Sequence, residues 1–427
     1  MRVTPILLAA AMLLPACSRK TETPAAEPAT VAEQPSSEAA YVGARNPDGP
    51  MSAEEIALQR RDDAWRRLQS FQARSTRTAA PAAQPAAVNV TFRPAVTFDE
   101  KLEGVNWAGL DATPVTVPME GDVAGPSVFR AQVLLDRANF GPGVVDGQWG
   151  KNTAIAVHFF QQENGIEPTG KIDEATYRVM AARGGNQPAL ISYSVTAEDV
   201  NGPYVEIPED VYDQAKLDCL CYESLAEKLA EKFHTTEETL AMLNGGTSLD
   251  SVSAGQTLLV PNVQQQEQLP SSPAKIVVSI AGNYLHALDQ NGGIVLHAPT
   301  TVGSDYDPSP TETLKVVAKA FDPTFHYQPT LFYEVDDTEP EAMLKAGPNS
   351  PVGKVWMALS KEHYGIHGTS DPSSIGYASS HGCIRLTNWN ATRLGQSVEK
   401  GTPVEFVDAR QGTVDAGQGT VDADQGT

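Results

Sequence analysis

Apolar residues recur every three or four positions in three stretches near the middle of the chain. Val128, Ala131, Leu135 and Ala138 form the first. Thr153, Ala156, Val157 and Phe160 form the second, and Ala175, Val179 and Ala182 the third. This spacing puts each set on one face of a helix and predicts a three-helix unit over 127–183. Val145-Asp146-Gly147-Gln148-Trp149-Gly150 reads as a tight turn between the first two helices. Gly165 and Gly170 punctuate the approach to the third. A second small unit spans 191–263. In it Leu225, Leu229 and Phe233 share a face, and Ser224 with Glu227 reads as a capping box. Thr236 is placed to cap a further helix ending near Asn244, and Gly255 to Pro261 reads as a turn and a short strand. Beyond Ala274 the pattern changes. Lys275 to Ile280 is a β-branched strand, and Tyr284 to Leu288 and Gly293 to His297 predict more strands between short turns. The segment 274–408 is therefore expected to be mainly β, and the fold class multidomain α+β.

The flanks carry less pattern. Arg2 precedes an apolar run to Leu14, which reads as a signal peptide over 1–16, too short for a membrane span. Residues 17–51 are rich in Ala, Pro, Glu, Thr and Ser and predict a flexible tether. Residues 52–74 read as a solvated helix, residues 75–126 as linker without clear periodicity, and Gln264 to Pro273 as a further linker. The tail over 409–427 repeats Gln-Gly-Thr-Val-Asp-Ala and reads as a disordered acidic segment.

Composition narrows the function. The chain has 427 residues, enough for about three domains. Its formal net charge of −22 argues against a protein that tracks nucleic-acid phosphates and against adsorption to anionic lipid by charge alone. Four cysteines, Cys17, Cys219, Cys221 and Cys383, are too few and too scattered for a disulfide scaffold. Cys219 and Cys221 are expected to be two small, half-buried residues. His286, His297, His326 and His363 lack metal-ligand spacing, so no metal and no cofactor are expected. Tyr327, Phe332 and Tyr333 read as core or groove residues.

One cluster has the composition of a reactive site. Tyr364-Gly365-Ile366-His367-Gly368-Thr369 is followed by Ser379-Ser380-His381-Gly382-Cys383-Ile384-Arg385-Leu386. A cysteine is a nucleophile only as thiolate and needs a base nearby. His367 can serve as that base and later protonate a leaving amine. Gly382 lets backbone N–H groups approach a substrate carbonyl, where each donor to a developing oxyanion is worth about 3–4 kcal/mol. Arg385 can hold a carboxylate with two parallel bonds.

At these residues the chain resembles the YkuD-type L,D-transpeptidase catalytic domain. The resemblance extends through Gly347 to Gly353, Asn388-Trp389 and Gly401 to Val404. It implies Cys383 as nucleophile, His367 as general base and the Gly368 carbonyl as its orienting group. It implies an oxyanion hole from the amides of His381, Gly382 and Cys383, with Ser380, His381 and Arg385 contacting the donor stem peptide. Glu312 stands where the family commonly has glycine, so the substrate groove is expected to differ there. The three-helix unit resembles the peptidoglycan-binding type 1 domain in Asp146, Gly147, Gly150, Thr153, Ala156, Val157, Phe160, Gln161, Gly165, Gly170 and Thr176. The unit over 191–263 partly resembles a LysM module, although its first strand is not evident. Leu14-Pro15-Ala16-Cys17 resembles a bacterial lipobox. Cys17 would then be lipidated, with Ser18 favouring the outer membrane on the periplasmic side.

Together these resemblances imply an exported, lipid-anchored transpeptidase acting on peptidoglycan stem peptides and glycan, with no nucleic-acid partner. Transfer to water, giving an L,D-carboxypeptidase or endopeptidase, and a non-catalytic wall-binding lipoprotein are the alternatives. The sequence is silent on oligomeric state.

Overall fold

The computed structural model describes residues 90–407, apart from 96, 305–306 and 333–334. The expected signal peptide with Cys17, the tether, the 52–74 helix and the 409–427 tail lie outside the described residues.

The segment expected to be linker up to residue 126 is folded from residue 90 on. Strand β1, Phe92–Pro94, pairs in parallel with β2, Val115–Val117. Val115, Val117 and Met119 are buried in the core of the helical unit. Both strands are too short to show a period, and β2 is buried throughout. The three predicted helices follow as α1, Pro126–Arg137, α2, Lys151–Glu163, and α3, Glu174–Arg183. The start of α1 is held by Glu100, whose carboxylate accepts from Ser127 N–H at 2.8 Å and Ser127 Oγ at 2.7 Å.

Two buried glutamines build the turns. Gln132 Nε2 donates to Asp146 Oδ1 at 3.0 Å and to Gln148 O at 2.9 Å, while its Oε1 accepts from Gly147 N–H at 2.7 Å. Gln161 does the same work at the next turn, donating to Lys171 O and accepting from Gly170 N–H, each at 2.8 Å. Buried amide side chains need such partners. Several of the motif residues Asp146, Gly147, Gln161, Gly170 and Thr176 are therefore hydrogen-bonding parts of the fold.

The second unit opens with a strand the sequence did not reveal, β3, Leu190–Ser194. Short helices α4, Ala197–Val200, and α5, Val211–Gln214, precede α6, Leu225–Lys232, and α7, Glu237–Leu243. Strand β4, Thr257–Pro261, then pairs antiparallel with β3 from Leu190↔Pro261 to Ser194↔Thr257. The Ser224 hydroxyl accepts from Glu227 N–H at 2.9 Å, and Thr236 Oγ1 accepts from Thr239 N–H at 3.1 Å. Cys219 and Cys221 form a disulfide, correcting the expectation of two unpaired thiols. The Gln264–Pro273 segment is not a free linker either. Leu269 is buried in the third core and its N–H donates to Ser397 Oγ at 2.7 Å.

The third unit is mainly β, as its β-branched run and short turns predict. Its strands are β5, Lys275–Ser279, β6, Tyr284–Leu288, β7, Ile294–Pro299, β8, Leu314–Phe321, β9, Phe325–Tyr327, β10, Ala342–Leu344, β11, Val355–Leu359, β12, Gly365–His367, β13, Ile384–Arg385, and β14, Pro403–Val407. Eight of them form one sheet in the order β13-β12-β11-β8-β14-β5-β6-β7, and β9 pairs with β10. A helix, α8, Asn388–Ser397, caps the core of Ile276, Val278, Val316, Met357, Ile366 and Ile384.

The units meet through buried polar groups. His234 Nδ1 bonds Asp136 Oδ2 at 2.9 Å and its ring stacks on Trp389, with centroids 4.7 Å apart. One contact thus joins all three units. Burial alone would raise the Asp136 carboxyl, but His234 and the Gln264 N–H hold it below 3.8. Elsewhere Phe159 of α2 packs on Tyr284, His286 and His297 of the sheet. His286 Nε2 and His297 Nδ1 are 3.0 Å apart. Burial pushes His297 down to about 3 and His286 well below 6.5.

Both of these imidazoles are neutral in the fold and basic in the unfolded chain. Protons therefore bind preferentially to the unfolded state below about pH 6.5, and each ring then costs about 1.4 kcal/mol per pH unit. The thermal midpoint should hold above pH 6.5 and fall steadily from there towards pH 4. Replacing His286 and His297 by leucine should flatten that slope; an unchanged slope in thermal unfolding would refute the assignment.

Candidate active site

Three strands bring the reactive cluster together. β12 and β13 run parallel, with Ile366 opposite Ile384 and His367 opposite Arg385. β11 lies antiparallel on the other side, with Trp356 opposite His367. Side chains alternate between faces along a strand. Ile366 and Ile384 point into the core. Gly365, His367, Arg385 and Trp356 therefore share the opposite face, and Cys383, in the bend just before β13, lies against the Gly365 backbone within reach of the Arg385 charge. Trp356 stacks on His367 with centroids 5.4 Å apart. A Cβ on Gly365 would lie 2.5 Å from the Trp356 ring, which explains glycine there.

His367 is 4% exposed, and its Nδ1 is 2.7 Å from the Gly368 carbonyl oxygen. A carbonyl can only accept, so Nδ1 carries the proton and Nε2 is left as the basic nitrogen. Burial pushes this imidazole down to about 3, with the Arg385 charge adding to the effect and the Gly368 carbonyl opposing it. Burial also pushes the Cys383 thiol above its ordinary 9.0, against the pull of the Gly365 N–H and of Arg385. The thiol donates to His363 O at 3.4 Å. At neutral pH the resting pair is therefore a thiol and a neutral imidazole rather than an ion pair.

The loop carrying Cys383 is pinned from both ends. Thr301 and Arg385 exchange backbone bonds at 3.0 and 2.9 Å, and Ser380 N–H donates to Val302 O at 2.9 Å. Ser380 is 3% exposed and its Oγ donates to Cys383 O at 2.5 Å. Its hydroxyl is thus part of the loop's own frame. Ser309 Oγ donates to Gly382 O at 2.9 Å and accepts from Gly303 N–H at 2.8 Å. Gly382 has φ +96°, and a Cβ there would sit 2.9 Å from Tyr364 Cε1. Among the described residues the N–H groups of Gly382 and Cys383 donate to no protein acceptor. His381 packs its ring against Phe332 at 4.9 Å. Arg385 Nε is buried and has no partner among the described residues.

Sequence reasoning missed Ser309, Trp356 and Glu231, and it placed Asn388 in the family resemblance without a role in the site. Asn388 Oδ1 accepts from Lys354 N–H at 3.0 Å, and its Nδ2 donates to Glu231 Oε2 at 2.7 Å. Glu231 lies over 100 residues away on α6, and only the fold brings it here. Glu312 pairs at the surface with Lys361 at 3.0 Å, and Tyr333 lies outside the described residues. Among those residues no cluster of three or more His, Cys, Asp or Glu could hold a metal ion.

Residues 273–406 match the model of the L,D-transpeptidase catalytic domain, and residues 124–180 that of a "Putative peptidoglycan binding domain". The chain is 33% identical over 178 residues to "Putative L,D-transpeptidase YkuD" of Bacillus licheniformis, covering 42% of this chain and 90% of that one.

The chain belongs to the YkuD-type L,D-transpeptidase family.

A YkuD protein of Bacillus subtilis is 31% identical over 167 residues, covering 39% of this L,D-transpeptidase and 84% of the relative. "Probable L,D-transpeptidase YbiS" of Escherichia coli K12 is 31% identical over 172 residues, covering 39% and 55% respectively. In this L,D-transpeptidase the matched catalytic region includes every residue of the cluster around Cys383 and His367.

A raised thiol pKa makes a reactivity prediction. Iodoacetamide should modify Cys383 of the free enzyme slowly at pH 7 and keep accelerating beyond pH 9. Mass spectrometry of the labelled peptide checks this; a rate that levels off below pH 8 would instead reveal a preformed thiolate.

Proposed function

We propose that Cys383 forms a thioester with the tetrapeptide stem of peptidoglycan and passes it to an amine. The observation that supports this most is the His367–Gly368 bond, which leaves Nε2 as the basic nitrogen beside Arg385, whose charge also reaches Cys383. Because both groups rest neutral, Nε2 takes the proton as Sγ attacks the carbonyl before the terminal D-alanine. The amides of Gly382 and Cys383, with that of His381, receive the oxyanion. His367 returns the proton to the leaving D-alanine amine. An amine of a second stem, or of a protein, then attacks the thioester and loses its proton to His367, and the thiol is restored. Arg385, with its Nε unpaired, suits a stem carboxylate.

The glycan would lie close by. A cavity of about 510 Å³ opens between the three units, lined among others by Gln132, Trp149, Glu238, Ser373 and Tyr377. Its lining holds no lysine or arginine. Aromatic faces with amides, hydroxyls and carboxylates fit a neutral sugar better than an anion. In the same reading, Cys17 anchors the enzyme to the periplasmic face of the outer membrane, and the LysM-like unit is an accessory wall-contact module. Keeping the enzyme on its polymer raises the effective concentration of stems.

Purified chain with disaccharide-tetrapeptide should yield crosslinked dimer and free D-alanine, and Cys383→Ala should yield neither. Tripeptide without dimer would move the acceptor to water; untouched tetrapeptide would defeat the reading. Ser373→Trp should block the cavity and weaken binding of a β-1,4-linked N-acetylglucosamine tetramer by about tenfold or more, with turnover of a sugar-free stem unchanged. Equal binding by this variant in calorimetry would remove the cavity from the glycan path.

A further inference from the structure

We propose that Glu231, on the accessory unit, is a positioning residue for the catalytic base. The inference rests on the transpeptidase reading and adds to it a route from another unit to His367.

The route starts at the Gly368 peptide, whose carbonyl holds His367 Nδ1–H. Gly368 N–H donates back to Val352 O at 3.1 Å and to Val355 O at 3.2 Å. Against the other side of this peptide sits the Asn388 side chain. A Cβ on Gly368 or on Gly353 would lie 2.1 Å from Asn388 Oδ1. The amide oxygen is thus wedged between two glycines, where it accepts from Lys354 N–H. Asn388 is 1% exposed.

An amide can turn over, and the two orientations are not equivalent here. With Oδ1 inward, the Lys354 N–H has its acceptor. Turned over, an NH₂ group would face that N–H, donor to donor, and would crowd both glycines. What fixes the first orientation lies on the outer side. Nδ2 donates to Glu231 Oε2 at 2.7 Å and, at a longer 3.2 Å, to Pro348 O. Tyr222 Oη donates to the other carboxylate oxygen, Oε1, at 2.6 Å. Glu231 is thus held by a second residue of its own unit and presents one acceptor to Asn388.

The surrounding contacts keep this unit seated. Leu220 N–H donates to Ala346 O, and the Leu220 carbonyl oxygen accepts from Asn349 N–H, each at 3.0 Å. Asn349 Nδ2 donates to Cys221 O at 3.0 Å. Gly347 has no room for a Cβ, which would lie 1.9 Å from Leu220 O. The loop leading to Gly353 is therefore built against the accessory unit over several residues.

Glu231 touches neither substrate nor the reacting atoms, so its removal should show in kcat rather than KM. In the full chain acting on disaccharide-tetrapeptide, Glu231→Ala should lower kcat by about tenfold, less than the roughly hundredfold that a full 1 Å misplacement can cost, with KM unchanged within about twofold. Glu231→Gln should stay close to wild type. Its Oε1 can accept from Asn388, and its amide can donate to Tyr222, whose hydroxyl also accepts. In an Asn388→Ala background, Glu231→Ala should add nothing. A direct readout accompanies these rates: the ¹⁵N resonances of the His367 ring should shift in Glu231→Ala and not in Glu231→Gln.

The proposal fails if Glu231→Ala keeps wild-type kcat and His367 resonances. It fails equally if Glu231→Gln loses as much as Glu231→Ala, or if the losses at Glu231 and Asn388 multiply. Should the alanine variant not fold, Glu231→Met fills the space without an acceptor and carries the same expectations. If the wild-type enzyme transfers nothing, the transpeptidase reading falls, and the His367 resonances still decide the role of Glu231.

Discussion

The hydrogen bond from His367 Nδ1 to the Gly368 carbonyl constrains the rest of the site. A side chain usually takes the role of orienting a catalytic imidazole, and a backbone carbonyl has no rotamer with which to adjust. The peptide itself must be placed, and placing a peptide takes a packed environment on both sides. Here one side is the 350–355 loop and the other is Asn388, with glycines at 353 and 368 because nothing larger fits. These glycines do not serve flexibility. Gly368 in particular serves close approach, so a bulkier residue would act on the base through the peptide rather than on the substrate.

The second constraint is electrical. His367 and Cys383 are both buried enough that their charged forms are disfavoured, and Arg385 lowers the imidazole further. Arg385 is ambivalent: its charge favours a thiolate and disfavours an imidazolium. An ion pair at rest would gain from the first and lose to the second, on top of two desolvation costs. A neutral pair avoids these. Burial is the main cause that holds His367 down and the Arg385 charge the lesser one, so a carboxylate received by Arg385 would offset only the lesser part.

How far this could be read from the sequence follows from the range of each interaction. His367 and Cys383 sit in two short motifs on neighbouring strands, so their residue types and spacing carry the signal. The helices of the first unit show because an amphipathic period repeats over several turns. β2 does not show, because three consecutive buried residues have no period, and β3 was hidden because a five-residue strand makes sense only beside Thr257–Pro261. Glu312 was visible as a departure from the family pattern, but Ser309, three positions earlier, gave no sign of being the clamp on Gly382. Glu231 and Asn388 are separated by 157 positions, and a charged residue on an amphipathic helix looks like any solvated one. The disulfide between Cys219 and Cys221 has no signal in a Cys-x-Cys spacing read by itself.

The 264–273 segment shows why such misses share a direction. Gln, Pro and Ser make it read as linker, and by local preference it is one. Yet Leu269 lies in the catalytic core, Gln264 N–H donates to Asp136, and Arg393 Nε donates to Gln266 O at 3.1 Å. Composition reports what a segment would do alone; the neighbours decide what it does. The same holds for the units themselves. Each has its own core, which is why each resembles a separable module. Their contacts, however, combine a shared apolar cluster, in which Phe129 and Val133 meet Leu190, Leu243 and Val263, with buried polar groups that need partners: Asp136 with His234, and Asn388 with Glu231. Leaving such a group unpaired costs more than the bond itself contributes. Separation of the units would therefore expose unsatisfied polar groups beside His367 and not merely an apolar seam, and that ties the seating of the accessory unit to the chemistry of the catalytic one.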